Sequence, residues 1–193
     1  MNGAKFLLST AVACSLATTA FADWTVEDDW SFLSFVSTKK QHVAEKHVIQ
    51  GVTGNLSEDG SIEVKIDLRT HTSGVDIRDG RMADILFNVA ATPEAVFVGE
   101  VNMDEVSVLT VGQSIPVLVE GDLTIGEMDN FVDFEVLATR VSEDRVVVTT
   151  VEPVIVDSVD YALDGRIESL RQLAKLDVIS LSVPVYFNLS FSR

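Results

Sequence analysis

The sequence predicts an all-β chain of about eight antiparallel strands, closed into a barrel or stacked as a sandwich, with two short helical segments beside them. Three observations lead there. Residues 179–191 are apolar at every odd position and mostly polar between, further stretches of the same period recur between acidic or glycine-bearing turns, and no βαβ rhythm separates them. In the first of these, Ile179, Leu181, Val183, Val185, Phe187, Leu189 and Phe191 are apolar, while Ser180, Ser182, Asn188, Ser190 and Ser192 take most of the positions between. A period of two held that long belongs to an extended strand with one buried face. At ~3.3 Å per residue it would run roughly 40 Å, about twice an ordinary strand. Pro184, on the polar side, marks a bend, a bulge or an unpaired position. So long an apolar-faced edge invites pairing with other chains, and closure is the economical protection.

In chain order, residues 24–26 and 30–36 read as the first strands, divided by Asp28-Asp29. In the second, Phe32, Ser34 and Val36 oppose Leu33 and Phe35, so the buried face is not decided by pattern. Residues 39–45 are polar and read as a loop. Residues 47–55 form a short strand containing Gly51 and Gly54, and Glu58-Asp59-Gly60 is a turn. Ile62, Val64, Ile66 and Leu68 then alternate with Glu63, Lys65 and Asp67, a half-buried strand.

The period changes across residues 78–87, where Met82, Ile85 and Leu86 fall at helical spacing opposite Asp79 and Asp84. Thr92-Pro93 closes that region, and residues 95–103 return to strand. After a turn at 110–113, Val117, Val119, Gly121, Leu123 and Ile125 alternate with Leu118, Glu120, Asp122 and Thr124. Gly121, on the apolar face, marks a bend or a close approach. Residues 132–139 and 145–156 form an antiparallel hairpin turned by Ser142-Glu143-Asp144. Residues 165–176 read as a second helix, with Ile167, Leu170, Leu173 and Ala174 in a stripe that packs as a lid or flank on a sheet. Its polar face, with Glu168, Arg171 and Lys175, is not the basic face of a membrane-surface helix.

Charge narrows the partners. Fourteen Lys and Arg stand against thirty Asp and Glu, a net of −16, with no basic cluster in the sequence. Nucleic acid and anionic membrane surfaces are therefore poor partners for the folded domain. Solubility suffices to explain the acidity; an acidic docking face is the alternative. No run after the first residues reaches the ~20 apolar residues of a membrane helix.

Residues 1–22 read as a signal peptide, outside the fold of residues 23–193. Lys5 gives the positive start, residues 6–16 a mostly apolar run, and Ala20-Phe21-Ala22 the small-x-small pattern cut after Ala22. Removal of Lys5 takes the net charge from −16 to −17 and removes Cys14, the single cysteine. The exported domain then has no thiol, disulfide or cysteine ligand. Ala11-Val12-Ala13-Cys14 loosely resembles a lipoprotein cleavage box but lacks the usual leucine.

Several segments in order resemble the YceI-like proteins, a periplasmic, polyisoprenoid-binding, lipocalin-like family. They are Trp24 with Leu33-Ser34-Phe35, residues 51–54, Ile77-Arg78-Asp79-Gly80-Arg81-Met82, Thr92-Pro93-Glu94-Ala95-Val96-Phe97, Gly121-Asp122-Leu123-Thr124-Ile125-Gly126 and the strand around Val183-Pro184-Val185. The chain departs from that pattern in lacking the histidine common after Ile125 and in the helical residues 165–176. The resemblance implies an extended eight-stranded antiparallel barrel, lipocalin-like, with one or two short flanking helices. It implies an isoprenoid ligand, a quinone or polyprenyl chain, held for periplasmic carriage or storage without a required cofactor and without stable membrane insertion. A homodimer is left open.

For the ligand, the inward positions are Phe35, Phe87, Phe97, Leu123, Phe134, Val136, Leu181, Val183, Val185, Phe187 and Leu189. A filled core shows the same alternation, and would suit a stress-related or protein-interaction module instead. Selectivity is expected for tail length and branching rather than for a head group. An enzyme has little support: His42, His47 and His71 are the only histidines, in no nucleophile or metal spacing, and read as solvated. A weak site from His42, His47 and a carboxylate is the metal alternative. Glu58, Asp59, Asp79 and Asp84 fall in turns or helix starts, where solvation accounts for them. An outer-membrane barrel is disfavoured by the charges opposite the apolar faces and the absence of aromatic girdles.

Overall fold

The computed structural model describes residues 23–193; the expected signal peptide, residues 1–22 with Cys14, lies outside the described residues. The alternating stretches become eleven strand segments: β1 (Trp24–Val26), β2 (Phe32–Lys39), β3 (Val43–Ile49), β4 (Val52–Leu56), β5 (Ser61–Asp67), β6 (Glu94–Val101), β7 (Ser114–Ile125), β8 (Met128–Ser142), β9 (Arg145–Thr150), β10 (Val154–Asp157) and β11 (Ser182–Ser192). They make eight strands, because three of the eight are broken partway. β1 and β2 lie end to end along one side of β11, β9 and β10 along its other side, and β3 and β4 continue one another against β2 and β1. Every neighbouring pair is antiparallel, and β1, hydrogen-bonded to both β4 and β11, closes the ring.

Each break has a local cause. Between β1 and β2 a 3-10 turn, Asp28–Trp30, interrupts the ladder while the Glu27 amide still donates to the Ser190 carbonyl. At the β3–β4 break, a side chain on Gly51 would meet Thr70 Cγ2 at 2.8 Å and Asp67 Cβ at 2.9 Å. Pro153, without an N–H, lies between β9 and β10.

Three local expectations change. Residues 39–45 are not a loop; β2 and β3 run into a tight hairpin, turned where Lys40 and Gln41 take φ of 51° and 67°. The strand expected over 95–103 stops at Val101, and a short helix α1 (Met103–Ser107) follows, its Asp104 amide donating to the Asn102 side chain. The last strand has eleven residues rather than thirteen, and Pro184 within it pairs in register with Ile155.

The first helical region is α2 (Asp76–Arg81), which continues directly into a π-helical segment, Met82–Phe87. The wider turn suits an apolar set spaced four and five apart, and Met82, Leu86 and Phe87 are buried. The second is α3 (Asp164–Leu173), with Ile167 buried and Leu173 exposed. Arg166 Nη1 donates to the Leu86 carbonyl at 2.9 Å, tying α3 to the π-helical segment. Together they cover one end of the barrel. Among the described residues no helix is long and apolar enough to cross a membrane.

Candidate functional site

The inward faces of the barrel do not meet. They enclose a cavity of about 500 Å³, within the ~300–1,000 Å³ of sites that enclose small ligands. A filled core, the alternative left by the alternation, is thereby excluded. Phe35, Phe87, Phe97, Leu123, Phe134, Val136, Val183, Val185, Phe187 and Leu189 line the wall. Val183, Val185, Phe187, Leu123 and Phe134 remain only partly buried, as expected of side chains facing a hollow from inside. An aromatic belt crosses the middle, with ring centroids of Phe97 and Phe134 5.5 Å apart and of Phe134 and Phe187 5.6 Å apart. Gly99 and Gly121 face each other across β6 and β7. A Cβ on either would come within 2.8 Å of Phe97 Cζ, so the glycine pair lets that ring lie flat on the wall.

Leu181 corrects the inward set. It precedes β11, is 37% exposed and is not part of the wall. The physical reason is that the chain leaves the ladder there: Ile179 makes an isolated bridge to Lys39, and the Leu181 carbonyl accepts from the Ser158 amide. The wall also holds residues that the alternation did not single out, among them Trp24, Leu33, His47, Met82 and Ile167. Trp24 floors one end, its ring under the guanidinium groups of Arg193 at 4.6 Å and Arg140 at 5.8 Å.

Two of the three histidines are not solvated. His47 is 1% exposed and His71 7%; only His42, in the β2–β3 turn, is exposed. His47 Nδ1 lies 2.9 Å from His71 Nε2 and His47 Nε2 lies 2.8 Å from Ser37 Oγ. The Phe35 ring stacks on His47 at 4.6 Å with an interplanar angle of 5°. Burial, followed by the fields of His71 and Arg78, pushes His47 down to about 4. Burial, with a further push from Arg78, also lowers His71, although Asp79 pulls the other way. Both rings are therefore neutral at pH 7.

This placement removes the His42–His47 metal alternative, since one ring is on an exposed turn and the other is hydrogen-bonded through both nitrogens. Among the described residues no group of three or more His, Cys, Asp or Glu side chains is placed to hold a metal ion. Asp79 is held by the Ser73 amide at 2.8 Å and by the Ser73 and Thr72 hydroxyls, so hydrogen bonding as well as solvent accounts for it.

Polarity changes along the cavity. On β2 the inward side chains run Leu33, Phe35, Ser37, Lys39, and on β3 they run Ile49, His47, Glu45. The end that begins apolar thus finishes in Ser37, Lys39 and Glu45, joined by Arg78 and Arg81 of α2. The arrangement can remove an extended apolar chain from water and leave one polar terminus near solvent.

Comparison with known proteins agrees with this geometry. The model of the YceI-like domain matches residues 24–191. A polyisoprenoid binding domain from Saccharophagus degradans, implicated in plant cell wall breakdown, is 36% identical, with 88% of this chain and 97% of that one covered and a TM-score of 0.83. BcnA of Burkholderia cenocepacia shares the fold at 16% identity, over 86% of this chain and 98% of that one, with a TM-score of 0.67. A search of curated proteins finds no match. With the family model spanning nearly all of the described barrel, the chain belongs to the YceI-like family.

Proposed function

We propose that this protein binds a long isoprenoid lipid, a quinone or polyprenyl chain, inside the barrel, without catalysing a reaction, and carries or stores it in the periplasm. The observation that supports this best is the cavity of about 500 Å³ whose wall is almost wholly apolar from Trp24 to Ile179. The 36% identical relative is described as a polyisoprenoid binding domain, which favours the same ligand class here. Burying hydrocarbon yields ~0.8 kcal/mol per CH₂, so a five-carbon isoprene unit offers roughly 3 to 4 kcal/mol gross. Three or four buried units exceed the ~8 kcal/mol of a micromolar complex before ordering and association costs. Export rests on residues 1–22, with cleavage after Ala22.

The test is to express the full chain, isolate the exported protein, measure its intact mass and extract it with organic solvent for mass spectrometry. An amino terminus at Asp23 and a co-purifying prenyl lipid, or uptake of added quinone or polyprenol, are expected. Absence of both passenger and uptake refutes isoprenoid binding, and retention of residues 1–22 refutes processed export.

A further inference from the structure

The outer wall of the barrel carries aromatic rings that the cavity has no use for. Among the described residues four aromatic side chains are exposed, Trp30, Phe32, Phe131 and Tyr186, and three of them share one patch. Leu33 and Phe35 of β2 and Val185 and Phe187 of β11 line the cavity, so Phe32 and Tyr186 point the other way, to solvent. Phe32 pairs with Asn188 and Tyr186 with Ser34, which makes the two aromatic residues diagonal neighbours on the sheet. The Asn188 side-chain amide donates to the Trp30 carbonyl at 2.8 Å and holds the 3-10 turn beside them. Exposed apolar surface gathered in this way marks a place where something binds.

Next to the rings a shallow groove of about 450 Å³ crosses the outward face of β2 and β3. Asp28 and Asp29 stand at one end and Lys46 at the other, with Phe32, Ser34 and Gln50 between. The side chains of Asp28, Asp29, Lys46 and Gln50 make no hydrogen bond or ion pair with any described residue. Carboxylates accept, the ammonium donates and the amide does both, so the groove offers hydroxyl groups every kind of partner. From Phe32 to Val36, which faces Lys46 across the ladder, β2 advances about 13 Å.

We infer that Trp30, Phe32 and Tyr186, with the groove from Asp28 to Lys46, form a binding platform for a neutral oligosaccharide of flat, β-linked pyranoses. Equatorial substitution gives such a sugar two C–H faces that stack on aromatic rings and a rim of hydroxyls that both donate and accept. A run of about 13 Å accommodates two or three linked units. The net charge of −16, with two carboxylates in the groove itself, repels anionic polymers. An apolar peptide would strip water from Asp28, Asp29 and Lys46 and return no hydrogen bonds. A β-glucan and an amino-sugar glycan share the selected chemistry. Lying outside the barrel, the platform is independent of what the cavity holds.

The test is calorimetric titration of the exported protein with cellohexaose, chitohexaose and the coiled, α-linked maltohexaose, beside acrylamide quenching of tryptophan fluorescence. Quenching reports on Trp30, which is 64% exposed, because the other tryptophan, Trp24, is 4% exposed. At least one β-linked hexaose is expected to bind with a Kd below about 1 mM and to shield Trp30, and maltohexaose to bind at least about tenfold more weakly. Preference for cellohexaose identifies a glucan and preference for chitohexaose an amino-sugar strand. Trp30→Ala and Tyr186→Ala, both at exposed positions and checked by melting, should each weaken binding at least about threefold, the fold-change of one lost aromatic contact, while Phe131→Ala leaves it unchanged. No binding of either β-linked hexaose up to about 5 mM, equal binding of maltohexaose, undiminished binding by either platform variant or a comparable loss in Phe131→Ala overturns the platform. Shielding of Trp30 that grows with protein concentration in the absence of sugar overturns it in favour of a second copy of this chain covering the rings.

Discussion

Acidification from pH 7 to pH 5 should weaken the fold through His47. This imidazole has an ordinary value of 6.5 and is pushed down to about 4 in the fold, by burial first and then by His71 and Arg78. Its folded value lies below its unfolded one, so between those limits the unfolded chain binds more protons. Stability is therefore fully present above about pH 6.5, falls as the pH drops, and is completely lost from this source near pH 4. The part lost between pH 7 and pH 5 amounts to about 2 kcal/mol. Carboxylates held low by hydrogen bonds, such as Asp67 and Glu27, act mainly further down, where unfolded Asp and Glu begin to protonate. The assay is urea denaturation at pH 7, 6 and 5 of the native protein beside His47→Phe, which keeps a ring against Phe35 and removes the titration. The variant will be less stable at pH 7, because Ser37 and His71 lose their partner; the slope is what matters. Parallel pH profiles for the two proteins would refute the assignment of His47 as a buried neutral base.

Three further outcomes follow from the wall. Val185→Asp places an unpaired carboxylate on the cavity face and should abolish folding or lipid uptake; full retention of both, by denaturation and by quinone uptake, would mean that the faces of β11 are reversed. Gly121→Ala forces a methyl toward Phe97 and the facing Gly99 and should cost on the order of 1–3 kcal/mol, visible as a lowered melting temperature, while an unchanged melt would refute the close approach. Leu181→Ser, outside the wall, should alter stability by no more than about 0.5 kcal/mol and leave uptake untouched, and a loss of uptake would return Leu181 to the site.

What the sequence revealed and what it hid divide along physical lines. Strands β5, β7, β8 and β11 were legible because one face of each meets water and the other does not, so the period of two is written in side-chain type. Hollowness was not legible: Val183, Val185 and Phe187 would read the same against a packed core, and the space between them depends on how eight strands close. The β2–β3 hairpin was missed for an informative reason. Its inward positions Ser37, Lys39, Glu45 and His47 are polar, so the alternation failed exactly where the cavity becomes a mouth, the kind of local violation expected of a functional surface. His47 and His71 stand 24 positions apart in the chain, and only the fold brings their rings to 5.1 Å.

The tryptophan floor has a consequence for traffic. With Trp24 buried beneath two guanidinium groups, that end of the barrel is stopped, and a threadlike guest of the proposed kind would arrive and depart at the opposite one. Whatever part slides in foremost must come out hindmost. If the protein carries its guest as proposed, a recipient at that end would be offered the same extremity of the cargo each time, and handover would have a fixed polarity.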